Sequence, residues 1–359
     1  MIKVFCFLSY IVITSFLTSA TAAQIKAYAP PKYSAVVIDA GTGQVMYEEN
    51  SQEQVYPASL TKMMTLLLTF EALKSGRLSM NQTIKISRRA SVQAPSKLGL
   101  RPGAKISIKD AMLAIATKSA NDVAVALAEA LGKTEENFAR LMSRKARSIG
   151  MMGTTFKNAS GLPAYGQKTT AMDIAKLSMH LIKKYPEYYK LFSTKVFSYY
   201  GWRHRNHNGL LWSKRDGLRY DGIKTGYIGM SGFNLAASAI KDNRRMIAVV
   251  MGGKTRRDRD NRVNLLLQAA FDGLFWPQEY KSVYRLGKKP PQFTVKNDPI
   301  AEIIAVSIKP SKKSHVENEE NVQLSEMLNG QKYKKTKKCR SFSKRQYKFR
   351  RRKDRQKSI

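Results

Sequence analysis

The chain has 359 residues, of which 43% are hydrophobic, and it carries a formal net charge of +37 at pH 7. This length allows one large domain or two small ones, and the hydrophobic content is enough for a substantial buried core. Such a charge indicates polyanionic surroundings: nucleic acid, an anionic membrane face or an anionic wall polymer.

The first 22 residues have the pattern of a secretory signal peptide. Lys3 precedes an apolar run over residues 4–17, which is short for a membrane span, and residues 20–22 (ATA) form a small-x-small cleavage pattern. We therefore predict that residues 1–22 are a signal and that the protein is exported to the periplasm or to the outer face of the cytoplasmic membrane. An uncleaved N-terminal anchor is the alternative. Export argues against nucleic acid as a partner.

The two cysteines exclude an internal disulfide in the exported domain. Cys6 lies within the predicted signal, and its removal leaves Cys339 alone in a polar tail. The domain must therefore be held together by packing.

The hydrophobic pattern changes period along the chain. Residues 33–47 predict a β-hairpin, because two apolar runs flank the turn-forming segment 39–43. Apolar residues on nearly all faces predict a buried helix over residues 57–73. Apolar spacings of three and four predict further helices, which we place at 108–118, 122–131, 135–149 and 171–184. Strand patterns follow at 222–224, 233–239 and 246–251, and an amphipathic helix is predicted at 261–275.

This order of elements predicts an α+β fold: an antiparallel sheet with flanking helices and an inserted helical subdomain. The catalytic domain is expected to cover residues 30–278. Residues 279–308 could form a small β-like appendage, and the polar, charged segment 309–359 is predicted to be a disordered basic tail.

Ser59 and Lys62 are the residues most indicative of chemistry. Three positions on a helix turn by about 300°, so both side chains share one face. A hydroxyl needs a base to become a nucleophile, and an amine can serve if its pKa is lowered by desolvation or nearby positive charge. The helix N-terminus also offers unpaired backbone N–H groups for an oxyanion. The expected chemistry is acyl transfer through a serine ester, without metal or cofactor.

One Ser-x-x-Lys motif carries little weight, since residues 238–241 and 341–344 match it too. The ordered set is more specific. Ser119 and Asn121 form a Ser-x-Asn motif in a short link between helices, and residues 224–226 (KTG) are expected to end a strand. This trio is typical of penicillin-binding proteins and class A β-lactamases.

Five segments resemble the D-alanyl-D-alanine carboxypeptidases, the low-molecular-weight penicillin-binding proteins, over roughly residues 30–275. They are residues 56–65 (YPASLTKMMT), 118–122 (KSAND), 158–163 (NASGLP), 221–226 (DGIKTG) and 251–253 (MGG). The resemblance implies removal of the terminal D-alanine from peptidoglycan stem peptides, with β-lactam antibiotics as covalent inhibitors.

The resemblance also implies residue roles in catalysis. Ser59 would attack the peptide carbonyl between two D-alanines, and Lys62 would accept its proton. Ser119 would relay a proton to the leaving D-alanine. The backbone N–H groups of Ser59 and Tyr227 would form the oxyanion hole.

The implied substrate-binding residues are Asn121 and the KTG segment. Asn121 would bind the substrate amide, and Lys224 would stabilise charge near the substrate carboxylate. Thr225 would hydrogen-bond that carboxylate, and Gly226 would leave room for the acyl chain beside the strand.

Three other functions remain open. A D,D-endopeptidase of the same family would use the same residues. A class A β-lactamase would need a Glu-x-x-Leu-Asn loop between the second and third motifs, and that segment contains none. A wall-polymer-binding protein without catalysis is the non-enzyme alternative.

The C-terminal segment 332–359 contains nine Lys and six Arg against one Asp. Given the predicted export, we expect electrostatic contact with an anionic membrane or wall surface, worth about 1 kcal/mol for each basic residue near such a surface. A solvated tail without a defined partner is the alternative.

Overall fold

The computed structural model describes residues 32–213 and 217–272. These residues belong to the predicted catalytic domain. The predicted signal peptide 1–22, the appendage 279–308 and the basic tail 309–359 all lie outside the described residues.

A five-stranded antiparallel sheet forms the centre of the fold. Its strand order is β2-β1-β9-β8-β7, and two additional two-stranded sheets, β3-β4 and β5-β6, lie within the intervening segment. The strands are β1 Ser34–Asp39, β2 Val45–Glu49, β3 Thr83–Lys85, β4 Lys105–Ser107, β5 Val196–Tyr199, β6 Trp202–Arg205, β7 Arg219–Ile228, β8 Gly232–Lys241 and β9 Arg244–Gly253.

Most of the helices lie between β2 and β7 in the chain, as an insertion into the sheet. The α-helices are α1 Thr61–Lys74, α2 Arg88–Ser91, α3 Ile108–Thr117, α4 Asn121–Gly132, α5 Glu135–Ser148, α6 Ala171–Lys184, α7 Pro186–Tyr189 and α8 Arg256–Phe271. This arrangement confirms the predicted α+β fold with an inserted helical part.

The sheet has buried residues on both faces. Successive side chains of a strand point to opposite faces, and on β1 Val36 and Ile38 join the main helical core. The alternate residues Ala35 and Val37 are also fully buried but are outside that cluster. Helix α8 packs against β8 and β9. The sheet therefore lies between the helical insertion and α8.

Side-chain caps set the start of several helices. Ser107, Thr134, Thr170 and Thr255 each accept a hydrogen bond from the backbone N–H three residues further on. Such caps satisfy an N–H group that has no partner within the helix. They place α3, α5 and α6 where the apolar spacing predicted them.

Three predicted boundaries were wrong. The terminal helix begins at Arg256 rather than at 261, because Thr255 caps a first turn of charged residues that shows no apolar period. The KTG segment lies inside β7, whose pairing with β8 continues to Ile228. A 3-10 turn over Ala58–Leu60 precedes α1, so Ser59 stands just before the α-helix.

Candidate active site

The three predicted motifs meet in one cleft of about 270 Å3. It lies where the turn before α1 faces β7 and the link between α3 and α4. The motif residues that line it are Ser59, Ser119, Asn121, Thr225, Gly226 and Tyr227. The two motif lysines, Lys62 and Lys224, are both buried, at 0% and 2% exposure. All eight residues singled out from the sequence are thus placed in or beside one cavity.

Ser59 and Lys62 are in direct contact. The Lys62 amine donates to Ser59 Oγ at 3.0 Å and to the backbone oxygen of Ser160 at 2.5 Å. Ser59 itself is half-buried and faces the cleft, whereas the amine is enclosed. A hydroxyl open to a substrate is therefore held against an amine that solvent cannot reach.

The surroundings of Lys62 favour its neutral form. Burial is the main cause that lowers the pKa of Lys62 well below its usual value, and the positive charge of Lys224 lowers it further. Asp122 acts in the opposite direction. A neutral amine has a lone pair, so Lys62 is able to accept the proton of Ser59.

Ser119 and Asn121 approach the cleft from the start of α4. Ser119 has a φ of +62°, a left-handed conformation that is uncommon for a residue with a side chain, and its buried hydroxyl has no hydrogen-bond partner among the described residues. Asn121 donates from Nδ2 to the backbone oxygen of Ala94 at 2.7 Å. That bond fixes the side-chain amide and leaves Oδ1 as the group able to accept from a ligand N–H.

Lys224 and Gly226 are closely packed residues of β7. The Lys224 amine donates to the backbone oxygen of Thr225 at 3.0 Å, and burial, with a smaller effect of Arg259, lowers its pKa to about 7. A Cβ atom on Gly226 would lie 3.1 Å from the backbone nitrogen of Ser59. Contacts that short are unusual, so glycine lets the strand run close to the backbone of Ser59.

Comparison with known proteins agrees with this geometry. Residues 18–255 match the family model described as D-alanyl-D-alanine carboxypeptidase. The chain belongs to this family. The resemblance drawn from the sequence motifs is thereby confirmed.

Individual relatives support the same assignment. The D-alanyl-D-alanine carboxypeptidase DacF of Bacillus subtilis is 36% identical over 244 residues, which cover 66% of this chain and 61% of the relative. The match therefore spans about three fifths of that protein. The structure of penicillin binding protein 5 from Haemophilus influenzae superimposes with a TM-score of 0.65 and 34% identity, over 68% of this chain and 73% of the other. The D-alanyl-D-alanine endopeptidase of Escherichia coli is 31% identical over 61% of this chain and 70% of the relative.

Sequence reasoning did not single out the residues that support the family motifs. The Asp122 carboxylate accepts from the backbone N–H groups of Leu98, Gly99 and Leu100, which ties that loop to the start of α4 beside Ser119. In the sequence it was visible only as the last residue of the KSAND segment and as an acidic residue in the first turn of a helix, with no role assigned to it.

Gly161 is a second supporting residue. Its φ is +85°, and a Cβ atom there would lie 1.8 Å from the backbone oxygen of Ala58. Only glycine lets this loop lie against the turn that carries Ser59. The same loop supplies the Ser160 oxygen that binds Lys62. Gly161 belongs to the NASGLP segment, but the reason for a glycine at this position became clear only from the fold.

Two arginines of α8 also line the cleft and were not predicted. Arg259 is 2% exposed and pairs with Asp260 at 2.6 Å, and Arg256 is exposed. Arg256 and the nearby Lys224 add positive charge beside the cleft, whereas Asp260 offsets part of the charge of Arg259. Both arginines lie in the stretch of α8 that sequence analysis had left outside the helix.

The described residues contain no group of three or more His, Cys, Asp and Glu side chains able to hold a metal ion. Within the same ranges, no helix has the length and apolar character needed to cross a membrane.

Proposed function

We propose that the protein is a serine-type D-alanyl-D-alanine carboxypeptidase that removes the terminal D-alanine from peptidoglycan stem peptides. The contact of 3.0 Å between Lys62 Nζ and Ser59 Oγ, in a cleft with buried Lys62, carries the proposal. No cofactor is required, because the chain itself supplies nucleophile, base and oxyanion donors.

Acylation follows from this contact. Neutral Lys62 takes the proton of Ser59 Oγ as the oxygen forms a bond to the carbonyl carbon between the two D-alanines. The carbonyl electron pair moves to its oxygen, which the backbone N–H groups of Ser59 and Tyr227 stabilise. The C–N bond then breaks, and the amine of D-alanine leaves with a proton delivered through Ser119. The peptide remains as an ester on Ser59.

Deacylation reverses the proton movements with water as the nucleophile. Water attacks the ester carbonyl and gives up one proton to a basic side chain of the cleft. The Ser59–acyl bond then breaks as Ser59 Oγ recovers a proton. Penicillins would acylate Ser59 in the same way, and the resulting acyl-enzyme would hydrolyse slowly.

The charges in the cleft fit a substrate that ends in a carboxylate. Thr225, Arg256 and Arg259 line the cleft, and the buried Lys224 precedes Thr225 on β7, so a C-terminal carboxylate would be bound by these residues. Asn121 Oδ1 can accept from the substrate amide. Recognition of this carboxylate fits the release of a terminal D-alanine.

Export and surface contact belong to the same proposal. The signal pattern of residues 1–22 supports export to the periplasm or the outer face of the cytoplasmic membrane. The charge of residues 332–359 supports contact with an anionic membrane or wall polymer. The peptidoglycan stem peptide would be the substrate at that location.

The D,D-endopeptidase is the second candidate, because a relative of that name shares 31% identity. Purified protein is incubated with a stem pentapeptide and, separately, with a crosslinked peptide dimer, and products are read by mass spectrometry. We expect loss of one D-alanine from the pentapeptide by the native protein and no loss with Ser59→Ala. If only the crosslinked dimer is cleaved, the protein is an endopeptidase and not a carboxypeptidase. Activity retained by Ser59→Ala would remove Ser59 as nucleophile.

A further inference from the structure

His207 is a cleft residue with no role in the motifs described above. It follows β6, and its imidazole lines the same cavity as Ser59, Ser119 and Arg256. The side chain is half-buried and makes no hydrogen bond to the described residues. A polar ring in a substrate cleft with no partner in the described part of the protein is available to a ligand.

Two buried asparagines hold His207 in place. Asn206 donates from Nδ2 to the backbone oxygen of Thr194 at 2.9 Å, and Asn208 donates from Nδ2 to the backbone oxygen of Gly222 on β7 at 2.9 Å. The two are also joined, because the backbone N–H of Asn208 donates to Asn206 Oδ1 at 2.9 Å. These hydrogen bonds hold the backbone on both sides of His207, which itself lines the cleft.

The charges that face His207 are positive. Burial is the largest cause that lowers the pKa of His207 to about 4. The basic groups that lower it further are Lys224 on β7, Lys118 after α3, Arg256 on α8 and, in its protonated form only, Lys62 on α1. The acidic Asp260 of α8 lies near Gly209, which is on the same loop as His207. Its carboxylate forms an ion pair with Arg259 at 2.6 Å. His207 is thus neutral at pH 7, with one N–H donor and one nitrogen acceptor.

We propose that His207 is a specificity-determining residue, which hydrogen-bonds the anionic C-terminal end of the peptide in the cleft. The identity of that peptide rests on the proposed function. The N–H of a neutral imidazole donates to one carboxylate oxygen, while the cations around it supply the charge. The imidazole adds an uncharged donor from β6's side of the cleft to the charged donors of β7 and α8.

Binding of the carboxylate should also change the pKa of His207. A bound carboxylate reduces the positive potential at the imidazole, so the protonated form becomes less unfavourable and the pKa of His207 rises in the complex. By linkage, binding takes up protons between the free and the bound pKa. Affinity for the peptide therefore increases as pH falls through that window, in addition to the increase near pH 7 that protonation of Lys224 contributes.

The decisive measurement is an NMR titration of the imidazole C–H signals in the Ser59→Ala variant, which cannot turn over. The chain has four histidines, and the signal of His207 is assigned by its loss in Ser59→Ala/His207→Gln. The probe is diacetyl-Lys-D-Ala-D-Ala, and the matched control is the same peptide with a C-terminal amide. We expect the pKa of His207 to rise by at least about one unit with the acid and to stay unchanged with the amide. No rise with the acid, or an equal rise with both peptides, overturns the inference.

Kinetics separate a substrate contact from a structural role. His207→Ala should lower kcat/KM for the acid peptide by about 10- to 100-fold, as expected for loss of a hydrogen bond to a charged group. His207→Gln, which keeps an uncharged donor, should restore most of it, and His204→Gln on β6 should match the native protein. A native-like kcat/KM for His207→Ala, with D-alanine still released by the native protein, refutes this inference and leaves the proposed function standing. If the native protein releases no D-alanine, the proposed function fails, and the NMR comparison still decides the role of His207.

Discussion

Lys224→Met should make the protein more stable, although Lys224 lies at the centre of the candidate site. The native side chain is 2% exposed, and burial lowers its pKa from 10.5 to about 7. Each unit of pKa difference corresponds to about 1.4 kcal/mol, so holding this amine charged in the folded state costs at most about 5 kcal/mol. Methionine fills a similar volume without charge.

The gain is smaller than this upper value, because the substitution also removes the donor to the backbone oxygen of Thr225. Loss of that hydrogen bond costs about 1 kcal/mol or more. We therefore expect a net increase of about 3 kcal/mol in the free energy of unfolding at pH 6. The positive charge that lowers the pKa of Lys62 disappears too, so the pKa of Lys62 should rise toward its usual value.

The sign of the pH dependence is fixed by the two pKa values. A lysine whose folded pKa is depressed destabilises the fold fully below pH 7, and this effect fades between pH 7 and 10.5. The advantage of Lys224→Met should thus shrink by about 1.4 kcal/mol per pH unit above pH 7.

Urea denaturation at pH 6, 8 and 9.5 measures this dependence. Lys109→Met, at an exposed lysine on α3, is the matched control and should change little at any pH. A variant that is less stable than the native protein at pH 6, or one whose gain is the same at all three pH values, refutes the reasoning about buried charge.

Three further predictions concern the supporting residues Gly161 and Asp122 and the base Lys62. Gly161→Ala places a Cβ 1.8 Å from the backbone oxygen of Ala58. At Gly76, which also has a positive φ (+72° against +85° at Gly161), a Cβ would have no atom within 4 Å, so Gly76→Ala is the control. Circular-dichroism melts should show a loss of about 1 kcal/mol for Gly76→Ala and a clearly larger loss for Gly161→Ala; equal losses would contradict the clash. Asp122→Ala should slow penicillin acylation by at least about tenfold, since it frees a loop held by three hydrogen bonds; an unchanged stopped-flow rate would count against it. Acylation should slow as pH falls through the lowered pKa of Lys62. Lys62→Met should not be acylated, and it should unfold at no lower urea concentration than the native protein. Acylation of this variant would exclude Lys62 as base.

The sheet and the helical insertion could be predicted from the sequence because their signals are local. The hairpin 33–47 has two apolar runs around a turn, and α6 has regular apolar spacing after a capping threonine. Helix α8 was placed five residues late, since its first turn consists of charged side chains and only the cap at Thr255 marks it. That error hid Arg256 and Arg259 from the prediction of the site.

The candidate site was predictable to the extent that chemistry follows from motifs. Spacing alone placed Ser59 beside Lys62, and the structure gives that contact as 3.0 Å. The close approach of Gly161 to Ala58 depends on segments about a hundred residues apart, so no local pattern carries it. The same holds for His207, whose environment is assembled from α1, α3, β7 and α8.

The central claim is that Ser59 is the acylated nucleophile and Lys62 its base. Benzylpenicillin is incubated with the native protein at pH 7, and the adduct is located by mass spectrometry of proteolytic peptides. We predict one equivalent of penicilloyl group, on the peptide that contains Ser59, and none in Ser59→Ala. An adduct on another residue, or a native protein that forms no adduct, would contradict the claim.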